Sequence, residues 1–127
     1  MRRKNAVVAG LLLALALSGC AATEAQPRAF EGTGMTMPAG TKMSSAQRKQ
    51  LAQSSISFDD YMAAYRRYVA CLNAAGFTLL EQPMKNQLVQ DGVPDAAVQS
   101  GVDEKCYMGE FQWVASVWST SREDTSD

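Results

Sequence analysis

The chain has 127 residues, with 12 basic residues, 13 acidic residues and no histidine, so its formal net charge is −1. This length is enough for one small domain, and the balance of charges argues against nucleic acid, which requires clustered lysine and arginine. The absence of histidine excludes Ser-His and Cys-His nucleophile pairs and removes the commonest zinc ligand.

The first 20 residues have the pattern of an export signal. Residues 2–4 are basic and residues 6–17 are mainly apolar, a run shorter than the roughly 20 residues that cross a bilayer. Leu17-Ser18-Gly19-Cys20 then resembles the lipobox of bacterial lipoprotein precursors. The resemblance implies removal of residues 1–19 and a lipid on Cys20, which would anchor the protein at the extracytoplasmic face of the cell membrane. The alternatives are an ordinary secretory signal with an incidental cysteine, or an uncleaved anchor.

Removal of the signal would change the charge of the chain. The mature protein would keep nine basic and thirteen acidic residues, a net charge of −4. Such a surface argues against nucleic acid and against strong electrostatic adhesion to anionic lipid. Apart from the membrane reached through the lipid, the expected partner is an envelope protein or a cell-wall component.

Residues 20–55 are predicted to be the lipidated N-terminus and a flexible tether. They are rich in Ala, Thr, Gly, Ser and Met, and they show no sustained apolar period. A short helix over residues 44–53 would be only weakly held. A flexible chain of this length has a root-mean-square reach of about 30 to 35 Å, enough to lift a domain off the lipid surface.

Three methionines of the tether suggest a second interpretation. Met35, Met37 and Met43 lie close together in sequence, and thioethers are soft ligands that select Cu(I). Without histidine or cysteine nearby, ordinary linker residues are the simpler interpretation. Copper or small-ligand binding is therefore the alternative function, and no cofactor is predicted.

The best-defined element of the predicted helical domain, residues 56–120, is its first helix. Ser57 and Asp60 resemble a capping box with Asp in place of Glu, and Gly76 suits the position just past a helix end. Apolar residues recur at three- and four-residue steps and share one helical face: Phe58, Tyr61, Met62, Tyr65, Tyr68, Val69 and Leu72.

The rest of the domain has shorter elements. Apolar runs at residues 77–81 and 87–90 predict a small β-hairpin, and a short helix is predicted over residues 95–100. The last predicted helix covers residues 103–119. Residues 121–127 are predicted to be a disordered polar tail.

Two cysteines remain if Cys20 carries lipid. In an exported chain Cys71 and Cys106 are expected to be oxidised, and we predict one disulfide between them. The alternative, a redox pair, is more typical of a C-x-x-C motif at a helix start. The predicted fold is mainly α: a small disulfide-clamped two-helix domain with a short β-hairpin or extended loop between the helices.

These residues resemble a group of small two-cysteine lipoproteins of high-GC Gram-positive bacteria. The resemblance covers roughly residues 58–118 and depends on loose motifs: Tyr61 with the aromatic face after it, Cys71-Leu72, Gly76-Phe77, Cys106-Tyr107 and Phe111. It implies the same stapled domain and the same location, and it supplies no catalytic residue.

No catalytic constellation is present in the sequence. Asp59 and Asp60 are adjacent at a helix start, where acidic side chains favour the helix dipole. Glu110 is more unusual, because helical geometry places it within an apolar arc where a lone carboxylate is costly to bury. A partner such as Arg66, a tyrosine hydroxyl or a position open to water would satisfy it. We therefore predict that the protein is not an enzyme.

An aromatic surface is the predicted binding site. A domain of this size buries only about 60% of its unfolded surface, so some aromatic side chains are expected to stay exposed. The alternative is that the aromatic face is core packing. The candidate binding residues, with the two tryptophans as the likeliest to be exposed, are Tyr61, Tyr65, Tyr68, Glu110, Trp113 and Trp118.

Overall fold

Helices dominate the part of the chain that a computed structural model describes, residues 28–29, 32–33 and 35–123. The elements in chain order are β1 (Arg28–Ala29), β2 (Thr36–Met37), α1 (Ser45–Leu51), α2 (Phe58–Ala74), β3 (Leu80–Lys85), β4 (Leu88–Gly92), α3 (Asp95–Gln99), α4 (Val102–Glu110) and α5 (Gln112–Glu123). The strands form two antiparallel pairs, β1 with β2 and β3 with β4. The predicted mainly α fold is confirmed.

Some predictions concern residues outside the described part. The signal segment, Cys20 and residues 124–127 of the predicted tail belong to this group. Among the described residues, no helix combines the length and the apolar character needed to span a membrane.

Helix α2 begins and ends where the sequence predicts. The Ser57 hydroxyl accepts a hydrogen bond from the Asp60 backbone N–H at 3.1 Å, and the Asp60 carboxylate accepts one from the Ser57 N–H at 3.0 Å. At the other end Gly76 has a φ of 90°, and the Phe77 N–H reaches the Leu72 carbonyl at 3.0 Å. These bonds satisfy backbone groups that a helix end leaves without intrahelical partners.

A disulfide joins Cys71 near the end of α2 to Cys106 in α4, with the two Cα atoms 5.7 Å apart. The predicted pairing is confirmed. The prediction of two helices is incomplete, because the predicted last helix is divided into α4 and α5 at Phe111. Phe111 is 4% exposed, and its ring centroid lies 5.2 Å from that of Tyr61 and 5.5 Å from that of Tyr65. The break thus occurs where the Phe111 ring enters the core.

Helix α1 corrects the boundary predicted for the tether. Gln47 and Leu51 are fully buried, and α1 packs against α4 and α5. The Ser44 N–H also donates to the Gly109 carbonyl at 2.8 Å. The folded part therefore begins before residue 56, and residues 45–51 are not free tether, because their apolar and amide side chains have partners that lie far away in sequence.

The β3–β4 hairpin is fixed to the core by two hydrogen bonds. The Tyr61 hydroxyl accepts from the Val89 N–H at 2.9 Å, and the Trp118 indole N–H donates to the Gln87 carbonyl at 3.0 Å. The turn residues Asn86 and Gln87 have φ values of 53° and 58°, the left-handed conformation that two-residue hairpin turns require. The predicted hairpin is confirmed, with strands longer than the apolar runs suggested.

Candidate functional site

Four of the predicted binding residues form core rather than surface. Tyr61, Tyr65, Tyr68 and Trp118 are between 2% and 7% exposed. Their polar atoms also have partners inside the protein, since the Tyr68 hydroxyl donates to the Asp103 carboxylate at 2.5 Å. These side chains are therefore not available to a partner in this conformation, and the alternative of core packing describes them.

Glu110 belongs to an internal polar network. Its carboxylate accepts a hydrogen bond from the Ser44 hydroxyl at 2.7 Å and forms an ion pair with Arg67 at 3.0 Å. Arg67 also donates to the Gln50 side-chain oxygen at 2.6 Å. Of the ways suggested for satisfying Glu110, a basic partner is the one found, but that partner is Arg67, while Arg66 is exposed. Glu110 links α1, α2 and α4 and is not a free group of a groove.

Gln47 is a residue that the sequence reasoning missed. Its side-chain nitrogen donates to the carbonyls of Met108 and Gly109 at 2.9 and 2.7 Å. Its side-chain oxygen accepts from the N–H groups of Trp113 and Val114 at 3.0 and 3.3 Å. One amide therefore caps the last turn of α4 and the first turn of α5. No local signal marks this role, because the partners are more than 60 residues away in sequence.

Trp113 remains as a candidate for binding. Its side chain is half-buried at the start of α5, and its indole nitrogen is buried with no hydrogen-bond partner among the described residues. An unpaired buried donor costs about 1–3 kcal/mol, and such groups in folded proteins are rare enough to require an explanation. Trp118 differs, because its indole N–H is bonded to Gln87.

Trp113 lines a groove of about 570 Å3, a volume typical of small-molecule sites. One wall is the turn at residues 38–42, which is closed by hydrogen bonds from the Thr41 N–H and hydroxyl to the Pro38 carbonyl at 3.2 and 2.7 Å. The other side is the outer face of α4 and the start of α5: Gly101, Glu104, Lys105, Met108, Gln112 and Trp113. Most of the lining surface is apolar.

The groove depends on the break between α4 and α5. Gln47 bonds the backbone N–H of Trp113 and the carbonyl of Met108, two residues that line the groove. The Ser44 N–H joins the start of α1 to Gly109 beside the break. The position of the Trp113 ring is thus set by a buried hydrogen-bond network rather than by an exposed loop.

The three tether methionines are not exposed together. Met37 is buried, and Met35 and Met43 are half-buried against the core. Within the described residues, no cluster of three His, Cys, Asp or Glu side chains could hold a metal ion.

The tyrosine hydroxyls act as donors and acceptors of a structural network. Burial is the largest influence on each of them, and it raises the pKa of all four tyrosines: Tyr61, Tyr65, Tyr68 and Tyr107. For Tyr65, burial and the neighbouring Asp91 carboxylate raise the pKa to about 12. Burial also raises the pKa of the Asp91 carboxyl above its usual range. The phenols therefore stay protonated at neutral pH and are not poised as bases.

The hairpin carries two exposed apolar side chains, yet it is poorly suited to strand pairing. Leu80 is 70% exposed and Met84 51% exposed on β3. Pro83 and Lys85 lie on the same strand, and proline and lysine are residues that prevent edge-to-edge association. The register with β4 also shifts between Gln82 and Lys85. The groove at Trp113 is the better candidate site.

Comparison with known proteins gives no relative from which a role could be transferred. No protein-family model, curated protein or solved structure matches this chain.

Proposed function

We propose that the protein is a lipid-anchored, non-enzymatic binding module of the cell envelope, and that its binding site is the groove at Trp113. The observation that carries the proposal is the largely apolar groove of about 570 Å3 that Trp113 lines together with Lys42, Glu104 and Lys105. Ligand sites combine an apolar lining with a few placed polar groups, and this groove has both.

The anchor is proposed from the sequence Leu17-Ser18-Gly19-Cys20. A single acyl chain binds a membrane only marginally, whereas the two or three chains of a lipoprotein anchor hold durably. The domain would then need no membrane-binding surface of its own. Replacing Cys20 by Ser should move the protein from the membrane fraction to the soluble extracytoplasmic fraction. Retention of the Cys20→Ser variant in washed membranes would contradict the anchor.

The binding role supports a separate test with the neutral fluorescent probe N-phenylnaphthylamine. The mature domain should bind it at one saturable site, because the groove offers apolar surface next to an indole ring. Ala39→Trp adds bulk to the exposed wall of the groove and should abolish binding without disturbing the core. Leu80→Ser removes an exposed apolar side chain from the hairpin and is the matched control. No saturable binding, or equal binding by the Ala39→Trp variant, would contradict the proposal.

A further inference from the structure

We infer that the groove at Trp113 takes an amphipathic anion, a molecule with an apolar body and a carboxylate, phosphate or sulfonate at one end. The inference rests on the proposed function, since it assigns a ligand class to the same site. Its basis is the character of the polar groups that line the groove, considered together with the charge of the whole chain.

Two ammonium groups are the exposed hydrogen-bond donors of the groove. Lys42 comes from the turn and Lys105 from α4; both are exposed, and neither forms an ion pair with a described carboxylate. An ammonium donates and cannot accept. A ligand that pairs with both groups must therefore supply acceptors.

The local charge also favours an anion. The groove contains two lysines and one carboxylate, that of Glu104, so its formal charge is +1. The full chain has a formal charge of −1, and loss of the predicted signal would make it −4. A positive site on a negative molecule attracts an anionic ligand to that one position, because opposite charge nearby raises the local concentration of the ligand.

The shape of the groove determines the rest of the ligand. Met108 and the Trp113 ring supply apolar surface, and the turn at residues 38–42 closes the opposite side. An inorganic anion alone would leave that surface exposed to water. An anion with an apolar body contacts both the donors and the apolar lining, and its charge lies toward Lys42 and Lys105.

Two fluorescent probes with the same aromatic body test the inference. Anilinonaphthalene sulfonate carries an anionic group, and N-phenylnaphthylamine has none. The mature protein should bind the sulfonate about tenfold more tightly than the neutral probe, a ratio typical of one charge-assisted hydrogen bond. The double variant Lys42→Gln/Lys105→Gln should bring the two affinities together, mainly by weakening the sulfonate. Lys85→Gln, which removes a charge from the hairpin, should leave the ratio unchanged.

The outcomes separate this inference from the proposed function. Equal affinity of the two probes for the unmodified protein would overturn the anion inference while the groove remains a binding site. The same conclusion would follow if Lys85→Gln weakened sulfonate binding as much as the double variant Lys42→Gln/Lys105→Gln does. Failure of both probes to bind at a saturable site would overturn both. Glu104→Gln provides a further check, because removing the one carboxylate of the groove should strengthen sulfonate binding, and a weakened affinity would count against the inference.

Discussion

Gln47 is predicted to be the side chain on which the junction of α4 and α5 depends most. Gln47→Leu keeps a buried side chain of similar size and removes all four hydrogen bonds to the backbone of Met108, Gly109, Trp113 and Val114. The Gly109 carbonyl keeps the Ser44 N–H as a partner, so three backbone groups lose theirs. At about 1–3 kcal/mol for each buried unpaired group, and with less than full additivity, the expected loss is about 3–5 kcal/mol.

Urea unfolding with the disulfide intact measures this loss, with far-ultraviolet circular dichroism as the signal. Gln112→Leu is the matched control, because Gln112 lies next to the same break and its side chain makes no hydrogen bond within the described residues; its effect should stay below about 0.5 kcal/mol. Gln47→Glu should also destabilise near neutral pH, because a carboxylate cannot donate to the two carbonyls. If Gln47→Leu unfolds at the same urea concentration as Gln112→Leu, the reasoning about the break is refuted.

Three further predictions concern stability. Replacing Cys71 and Cys106 by Ser should lower the free energy of unfolding by roughly 3–4 kcal/mol in urea, because a bridge across 35 positions constrains the unfolded chain; an unchanged midpoint would contradict this. Burial and Asp91 raise the pKa of Tyr65 to about 12, so the contribution of the protonated Tyr65 phenol to stability is complete below pH 10.0 and is lost as the pH rises toward 12. An absorbance titration should show ionisation of the buried phenols together with unfolding. Ionisation of these phenols near pH 10 without unfolding would contradict the prediction. For Asp60, burial raises the pKa, but the hydrogen bonds from Ser57, Gln53 and Gln50 together outweigh burial and the net pKa is lowered. Asp60→Asn should therefore destabilise at neutral pH and lose its effect as the pH falls below 3.8; a constant difference across that range would refute the assignment.

Local signals made the first half of the domain predictable. The Ser57–Asp60 capping box, the apolar face of α2 and Gly76 all act within a few residues of one another. The disulfide was predicted from the cysteine count and the expected export of the chain, and the structure places Cys71 beside Cys106. These features need no knowledge of which helices pack together.

The break at Phe111 could not be predicted in the same way. Residues 103–119 have a nearly continuous helical pattern, and the group that stabilises the interruption is Gln47, in a segment whose composition resembles a linker. The long sequence separation between α1 and α4 also explains why Ser44 and Arg67 were not expected as the partners of Glu110. A continuous helix and a free tether left Ser44 out of consideration, and the long side chain of Arg67 reaches Glu110 although its position faces away from the apolar face.

The candidate site was predicted only in part. Trp113 was expected to be exposed together with Trp118, but Trp118 packs on Phe58 and Tyr61, with ring centroids 5.8 Å apart in each pair. The turn at residues 38–42 forms one wall of the groove and belongs to the predicted tether. Pattern reasoning along one helix cannot find a groove whose second wall comes from a distant segment.

The most direct test of the central claim uses the two tryptophans of the chain as an internal pair. Their indole N–H resonances can be assigned with a Trp118→Phe variant and followed by heteronuclear NMR while anilinonaphthalene sulfonate is added to the protein. The Trp113 signal should shift progressively to saturation, because Trp113 lines the groove and the aromatic rings of the probe would lie against it. The Trp118 signal should stay in place, because its N–H is bonded to Gln87. A Trp113 signal that does not move, or two signals that move equally, would contradict a binding site at Trp113.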